Sequence, residues 1–292
     1  MNIIYSNDCV IDVHKAFIVA VICDSTNPIK PLYLKKRFST FHSDLTRFRN
    51  WLLDHDCHNV CMESTGKYYI PVYNALEGYI SNVVVANPKW VKAVKGEKDD
   101  NRDAKWIADL FKFGIVKGSF IPEKNIRILR ECTRYLVKMT NMRSSEKNRF
   151  QNALTVGNCK LDLAFSDVFG KSASSIVNLI LSQNDYSDED ILSLVDGRCK
   201  SSPETILDAV HGSSFTDIQK TRMHLIHHHM DFLDSQIQQL ELLIDALVAP
   251  YEGYITLLCS IPGIKRRSAI IILSEIGVDM SQFSSHMRLS SW

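Results

Sequence analysis

Several features that would assign this chain to a common class of protein are missing from its sequence. No run of 18 apolar residues occurs in the 292 residues, so no membrane-spanning helix is expected. Asp8 and Asp12 interrupt the N-terminus too early for a secretory signal peptide. No internal repeat is evident. With 45% hydrophobic and 23% charged residues, the composition is that of a soluble protein, and the length allows two domains.

The eight cysteines lack the spacing of a zinc site. No CxxC pair occurs, and Cys57 and Cys61 have no second pair of ligands at a suitable distance. A histidine cluster at positions 224 and 227–229 has no carboxylate or cysteine assigned to it, so we predict the polar face of a helix rather than a metal site. The thiols are expected to be reduced and mostly buried, which predicts a cytoplasmic location.

Neither sign of charge dominates the whole chain, whose net charge is +1, but the two signs are separated along it. Residues 91–152 contain 15 Lys and Arg against 8 Asp and Glu, whereas residues 153–258 contain 6 against 15. A basic block beside an acidic block favours a polyanion as partner, and solvated charged helices are the alternative. We therefore predict nucleic acid, and no membrane, as a partner.

Apolar, β-branched stretches alternate with helical ones in the first third of the chain. Helices are predicted from Ser43 onward and from Tyr68 to Leu76. Three strands, then a helix, a strand, a helix and a strand predict an α/β domain with a mixed sheet. The strands are predicted at Cys9–Val13, Ala16–Cys23, Leu32–Phe38, Asn59–Met62 and Asn82–Ala86.

Two long helices are predicted after this domain, over residues 123–153 and 215–248. The apolar residues of the second helix fit a coiled-coil seam and a core helix equally well. Residues 158–182 also read as helical, with a break near Gly170, and residues 185–202 read as a polar connection.

Four acidic residues in the N-terminal third are candidate metal ligands. Asp12 lies inside an apolar strand, where a charge without a partner is costly, and Glu63 ends a later strand. Asp100 and Asp103 are three residues apart at the start of a predicted helix, so their carboxylates can point at one spot. The alternative for this pair is an acidic first turn favoured by the helix dipole.

Basic residues near these acids and farther along the chain are candidates for contacts with phosphates. The turn Ile261–Ile264, between two predicted helices, is typical of a helix-hairpin-helix, whose backbone N–H groups bind phosphate without reading bases. A purely structural helical hairpin is the alternative. The candidate nucleic-acid-binding residues are Lys95, Lys98, Arg102, Lys105, Arg134, Arg143, Lys147, Arg149, Gly263, Lys265, Arg266 and Arg267.

Four motifs in order resemble the DEDD-type insertion-sequence transposases of the IS110 group, which a bridge RNA guides. They are V-I-D-V-H-K, M-E-S-T-G, K-D-D-N-R-D-A and S-I-P-G-I. The resemblance implies a RuvC-like domain of the RNase H class over residues 1–115. It further implies a helical or coiled-coil region over 116–250 and the start of a C-terminal transposase domain with the helix-hairpin-helix over 251–292.

The same resemblance implies chemistry and partners. It makes Asp12, Glu63, Asp100 and Asp103 the catalytic residues and the ligands of Mg²⁺. Metal-dependent DNA cleavage and strand exchange guided by a structured RNA are the implied activity. The implied partners are DNA, at the element ends and the target, the guide RNA, and further copies of the chain in a dimer or tetramer.

In the resembling family a nucleophilic serine lies beyond the point where this chain stops at Trp292. The serines at positions 284, 285, 290 and 291 come too early to match it, so we expect a truncated chain that is inactive or incomplete in strand transfer. Two other hypotheses stay open. The chain is a catalytically silent nucleic-acid-binding fragment, or it is a stand-alone RuvC-like nuclease that uses Mg²⁺.

Overall fold

The computed structural model describes residues 3–27, 29–64, 66–86, 110–116, 118–183 and 185–291. The chain divides into two compact units, Met1–Ile121 and Pro122–Trp292. The predicted division into three domains stays a prediction. Six of the predicted site residues lie outside the described residues. They are Asp100 and Asp103, with the surrounding Lys95, Lys98, Arg102 and Lys105.

In the first unit, the described residues form a five-stranded sheet with the order β3-β2-β1-β4-β5. The strands β1, β2 and β3 pair antiparallel, and β4 and β5 continue the sheet parallel to β1. This mixed sheet confirms the predicted α/β fold class. The strands are β1 (Asn7–Val13), β2 (Phe17–Asp24), β3 (Leu32–Ser39), β4 (Asn59–Glu63) and β5 (Asn82–Ala86).

Two helices, α1 (His42–Asp54) and α2 (Tyr69–Leu76), cover one face of the sheet. Helix α1 buries Leu45, Phe48 and Leu52, whose spacing puts them on one side of the helix. Alternate residues of β1 and β2 pack against them, so this face is the core of the unit. The prediction that α1 begins after a Ser43 cap is wrong, because the helix already includes residue 43 and its N-cap makes no side-chain hydrogen bond.

The second unit is helical in its described residues. Its two long helices, α3 (Lys124–Val156) and α8 (Asp217–Val248), confirm the long helices predicted from the sequence. Seven shorter helices lie between and after them in the described residues. In chain order the other helices are α4 (Leu161–Ala164), α5 (Lys171–Ser182), α6 (Asp188–Ser193), α7 (Pro203–Val210), α9 (Glu252–Cys259), α10 (Arg266–Ile276) and α11 (His286–Ser290).

The two long helices run antiparallel. At one end, Ile126 and Leu129 share a core with Val248, and at the other end Phe150 shares a core with Met223. The core-helix alternative for α8 is therefore realised in part, and the coiled-coil seam stays a prediction. Some of its apolar residues enter these cores, whereas the ones at 225, 232 and 243 are exposed.

The helical segment Asp217–Cys259 is long and apolar enough to cross a membrane by length and composition alone. We expected no helix that could span a membrane, and this segment corrects that expectation as far as length and composition are concerned. The segment contains Pro250, and its residues Ile244, Val248 and Ile255 are buried in the core of the second unit. Part of the apolar composition of this segment thus belongs to the core of the second unit.

Candidate active site

Asp12 and Glu63 lie side by side at the ends of neighbouring parallel strands. The strands β1 and β4 pair in parallel up to Ile11 and Met62, so the next residue on each strand is one of the two acids. Residues opposite each other in a sheet point to the same face, and neighbouring strands are about 4.8 Å apart. The structure therefore brings together two of the four predicted ligands, each of which is partly exposed.

The face that carries the two acids is the one opposite α1 and α2. Val10, Cys61 and Ala86 lie on it and form a small core with Phe111. Residues 110–112 are helical, and Phe111 is 1% exposed. The chain that follows the undescribed stretch 87–109 is thus packed on the same face as Asp12 and Glu63.

The carboxylate of Asp12 is held by His14, the first residue after the end of β1. Nε2 of His14 lies 2.9 Å from Oδ2 of Asp12. Residues two apart in an extended chain share a face, which explains why the sequence D-V-H places the two side chains together. His14 was not among the predicted site residues, although this spacing could have revealed it.

The donor set fits a divalent cation as far as the structure describes it. Two carboxylates at adjacent strand ends supply only oxygen, the ligand type that Mg²⁺ prefers. No described residue makes a hydrogen bond or ion pair with Glu63, so within this part of the chain its oxygens remain available. The described ranges contain no group of three or more His, Cys, Asp or Glu that could hold a metal, and Asp100 and Asp103 lie outside these ranges.

A further acid on β1, Asp8, was missed by the sequence analysis. It is fully buried on the same face as Asp12. The two acids are four positions apart on the strand, about 13 Å, so Asp8 does not join the carboxylate pair. Burial, together with the charge of Asp8, raises the pKa of Cys61 to about 12. The argument that singled out Asp12, an acid inside an apolar strand, applies equally to Asp8.

Most of the basic residues predicted on α3 are engaged inside the second unit. Arg134 donates two hydrogen bonds to Glu275, at 2.7 and 2.8 Å, and Arg143 pairs with Asp234. These contacts join α3 to α10 and to α8. Two more of the set are engaged near their own helix: Arg149 lies 2.5 Å from Glu146 on α3, and Nζ of Lys147 lies 4.6 Å from the ring centre of Phe169.

Carboxylates do approach the histidine cluster of α8, contrary to the premise of its prediction. His227 lies 3.1 Å from Asp231, and His229 lies 3.1 Å from Glu146. These two histidines of the cluster thus contact different carboxylates. The described part of the chain offers no shared metal cluster here.

The turn between α9 and α10 has an exposed glycine and an exposed lysine. Gly263 has a φ of +89°, a conformation that favours glycine, and Lys265 precedes the first residue of α10. Arg266 pairs with Glu252 and Asp245, at 2.6 and 3.0 Å. Its neighbour Arg267 donates to Thr140 Oγ1 and lies 3.6 Å from Glu241.

Comparisons with known proteins give a family and distant structural likenesses, two of which are described below. The family model described as a transposase, of the DEDD type of the insertion sequence IS110, matches residues 9–157. Among curated proteins none matches this chain.

The first similar structure is RuvC of T. thermophilus in complex with a Holliday junction substrate. It is 12% identical, with coverage of 39% of this chain and 100% of that chain and a TM-score of 0.29. The second is the Fowlpox virus resolvase in complex with Holliday junction DNA. It is 17% identical, with coverage of 36% and 72% and a TM-score of 0.25. The RNase H-like class follows from the sheet order described above and not from these likenesses.

Proposed function

Because the chain belongs to the IS110 family of DEDD transposases, an enzyme family, we propose that it cleaves DNA strands at a divalent-metal site. Asp12 and Glu63 form the described half of this site, and Asp100 and Asp103 complete it. The observation that supports the proposal is the pairing of β1 with β4, which sets two acids side by side on one face. Mg²⁺ is the proposed ion, because all the donors are carboxylate oxygens.

Three described residues have roles in the proposed metal site. Asp12 and Glu63 bind the cation, and His14 orients Asp12 by its hydrogen bond to Oδ2. A bound divalent cation neutralises the charge that develops on the attacking and leaving oxygens of a phosphodiester. Family membership supports Asp100 and Asp103 as the remaining ligands.

We propose further that a structured guide RNA selects the DNA, and that the protein acts in the cytoplasm. Family membership supports the RNA, since base pairing would carry the sequence information while the protein contacts backbone and shape. Five of the eight cysteines are buried as free thiols, which suits a reducing compartment. The exposed turn at Gly263 and Lys265 is proposed as a phosphate contact of the second unit.

Self-association is proposed through α8. Ile218, Leu225 and Phe232 follow one another at intervals of seven residues, and they are 83%, 64% and 59% exposed. A stripe of apolar residues at this spacing, left exposed by the packing of the unit, supports a homo-oligomer formed by helix pairing.

The test of the metal site compares Asp12→Asn and Glu63→Gln with the unaltered chain. Cleavage of a labelled branched DNA in Mg²⁺ should fall at least about 100-fold in each variant, because each removes a ligand or its charge. In the absence of DNA, Mg²⁺ should raise the melting temperature of the unaltered chain only, because a ligand stabilises the state that binds it.

The control is Asp54→Asn, which removes an exposed acid at the end of α1 and should leave both measurements unchanged. Cleavage that survives in Asp12→Asn or Glu63→Gln would reject the proposed site. A chain that binds Mg²⁺ and DNA but cleaves nothing would instead support a silent nucleic-acid-binding protein.

A further inference from the structure

An arginine on β3 lies in the same row of the sheet as the carboxylate pair. Asp12 is opposite Val19 on β2, and Val19 is opposite Arg37 on β3. All three side chains therefore point to one face. At about 4.8 Å between strands, the Cα atoms of Asp12 and Arg37 are roughly 10 Å apart. Arg37 is exposed, and Val19 between them is a short apolar residue.

The guanidinium group of Arg37 is held in place by an aromatic ring. It lies 3.6 Å from the centre of the Phe17 ring. That ring in turn lies 4.4 Å from the ring of His14, which is hydrogen-bonded to Asp12. A continuous series of side-chain contacts thus connects the cation to the carboxylate.

Stacking on Phe17 orients Arg37 without using its hydrogen-bond donors. A guanidinium group carries five N–H donors in its own plane, and an aromatic ring below that plane leaves them free. No described residue forms an ion pair with Arg37, whereas Arg47 of the same unit pairs with Asp44 at 2.6 Å. Arg37 is therefore an oriented cation whose charge is not neutralised within the described part of the chain.

A cation at this position could also serve only to protect the edge of the sheet. The described sheet ends at β3, and charged side chains on an edge strand prevent it from pairing with other chains. Lys36, the preceding residue, fits that explanation, because it lies on the opposite face over Phe38 and Trp51. Arg37 differs from Lys36 in two respects, the row it shares with Asp12 and the ring contact that leads to the carboxylate.

We propose that Arg37, held over the ring of Phe17, binds a backbone phosphate of the DNA. The phosphate belongs to the same strand that binds at Asp12 and Glu63. The proposal rests on the proposed function, since the strand must lie along this face. A planar guanidinium group donates two parallel hydrogen bonds to a phosphate. The bound phosphate is a neighbour of the one at Asp12 and Glu63, so Arg37 fixes the position of the strand. It is a positioning residue and takes no part in the chemical step.

The experiment measures the affinity of the full chain for labelled branched DNA at several salt concentrations without divalent cation. Arg37→Gln should reduce the slope of log affinity against log salt by about 0.9, the effect of one lost phosphate contact. Phe17→Leu should keep the charge but lose its orientation, and we expect a weaker affinity at every salt concentration with a smaller change of slope. Lys36→Gln is the matched control, with the same loss of charge on the other face, and its slope should equal that of the unaltered chain.

Two outcomes would overturn the contact. Arg37→Gln could leave the slope unchanged, or Lys36→Gln could reduce it equally, which would make the effect one of net charge. Cleavage in Mg²⁺ is measured separately. If Asp12→Asn cleaves as well as the unaltered chain, the proposed function fails, and the slopes still decide whether Arg37 contacts phosphate.

Discussion

The same residue type takes opposite roles in this molecule according to where the fold places it. Asp8 and Asp12 are on one strand and one face, but Asp8 is fully buried among thiols whereas Asp12 is partly exposed beside Glu63. Burial disfavours the charged form of an acid or a thiol, so a buried group is a poor nucleophile. Position along the strand therefore separates a structural acid from one that can bind a cation.

Burial has the same effect on the cysteines. Burial raises the pKa values of Cys57 and Cys61 to about 12 and that of Cys159 to about 11, so these thiols stay protonated at neutral pH. Cys259 is exposed. At about pH 8, a thiol reagent should modify Cys259 rapidly and the three buried thiols only on unfolding, because the thiolate is the reactive form.

The control variant is Cys259→Ser, in which the thiols modified before unfolding should be limited to the partly exposed Cys132 and Cys199. Modification of Cys57, Cys61 or Cys159 in the native variant, located by peptide mapping, would show that a buried thiol is accessible.

At the scale of the elements, apolar periodicity located the long helices and strands, and it missed what depends on distant partners. All five strands were predicted to within two residues at each end, because β-branched runs bounded by polar residues define them. Helix α6 was read as a polar connection, although Ser187 and Asp190 form a capping box at its start. Arg134 and Glu275 are 141 residues apart, and no local pattern predicts their pairing.

The candidate site shows the same division. Asp12 and Glu63 were recognisable from the sequence as acids at strand ends. The alignment of Arg37 with Asp12 depends on the register of β1, β2 and β3, which the sequence alone did not specify. A basic helix was read as a phosphate-binding surface, because the acids that neutralise it lie on other helices. That assignment for α3 stays a prediction.

The pair of Arg134 with Glu275 provides a test at this scale. Hydrogen bonds from Arg134 lower the pKa of Glu275 and outweigh the effect of its burial. A lowered pKa means that the pair stabilises the fold above the unfolded-state pKa of about 4.3, and that this stability is lost as the pH falls through the lower native value. A double-mutant cycle of Arg134→Gln and Glu275→Gln, by urea unfolding, should give a coupling of about 1 kcal/mol at pH 7.

The coupling should shrink once the pH is below the native pKa of Glu275, where the unaltered carboxyl is protonated. Lys138→Gln serves as the control, because Lys138 is an exposed cation of α3 with no ion pair among the described residues. It should show no coupling to Glu275→Gln. If Arg134→Gln is as stable as Lys138→Gln, the ion pair contributes nothing and Arg134 is free to contact nucleic acid.

For the whole molecule, the structure changes the meaning of the charge blocks. Residues 1–121 contain 16 Lys and Arg against 13 Asp and Glu, and residues 122–292 contain 18 against 20. The net charges are +3 and −2, so the strongly basic and strongly acidic blocks do not coincide with the two units. In the second unit, Arg143 of the basic block pairs with Asp234 of the acidic block, and Arg134 pairs with Glu275 beyond both blocks.

The last prediction follows from this neutralisation and concerns the two units expressed separately. Residues 122–292 have two apolar cores of their own, so this fragment should fold as a cooperative helical protein. Its affinity for DNA should be weak and change little with salt, because arginines in ion pairs must leave an acid before they bind phosphate. Residues 1–121 should retain most of the salt dependence of the full chain. The measurement is the same salt titration, made on both fragments and the full chain, with circular dichroism to confirm folding. If the helical fragment carries the larger slope, its arginines exchange their acids for phosphates on binding, and the basic helix is the interface that its sequence predicts.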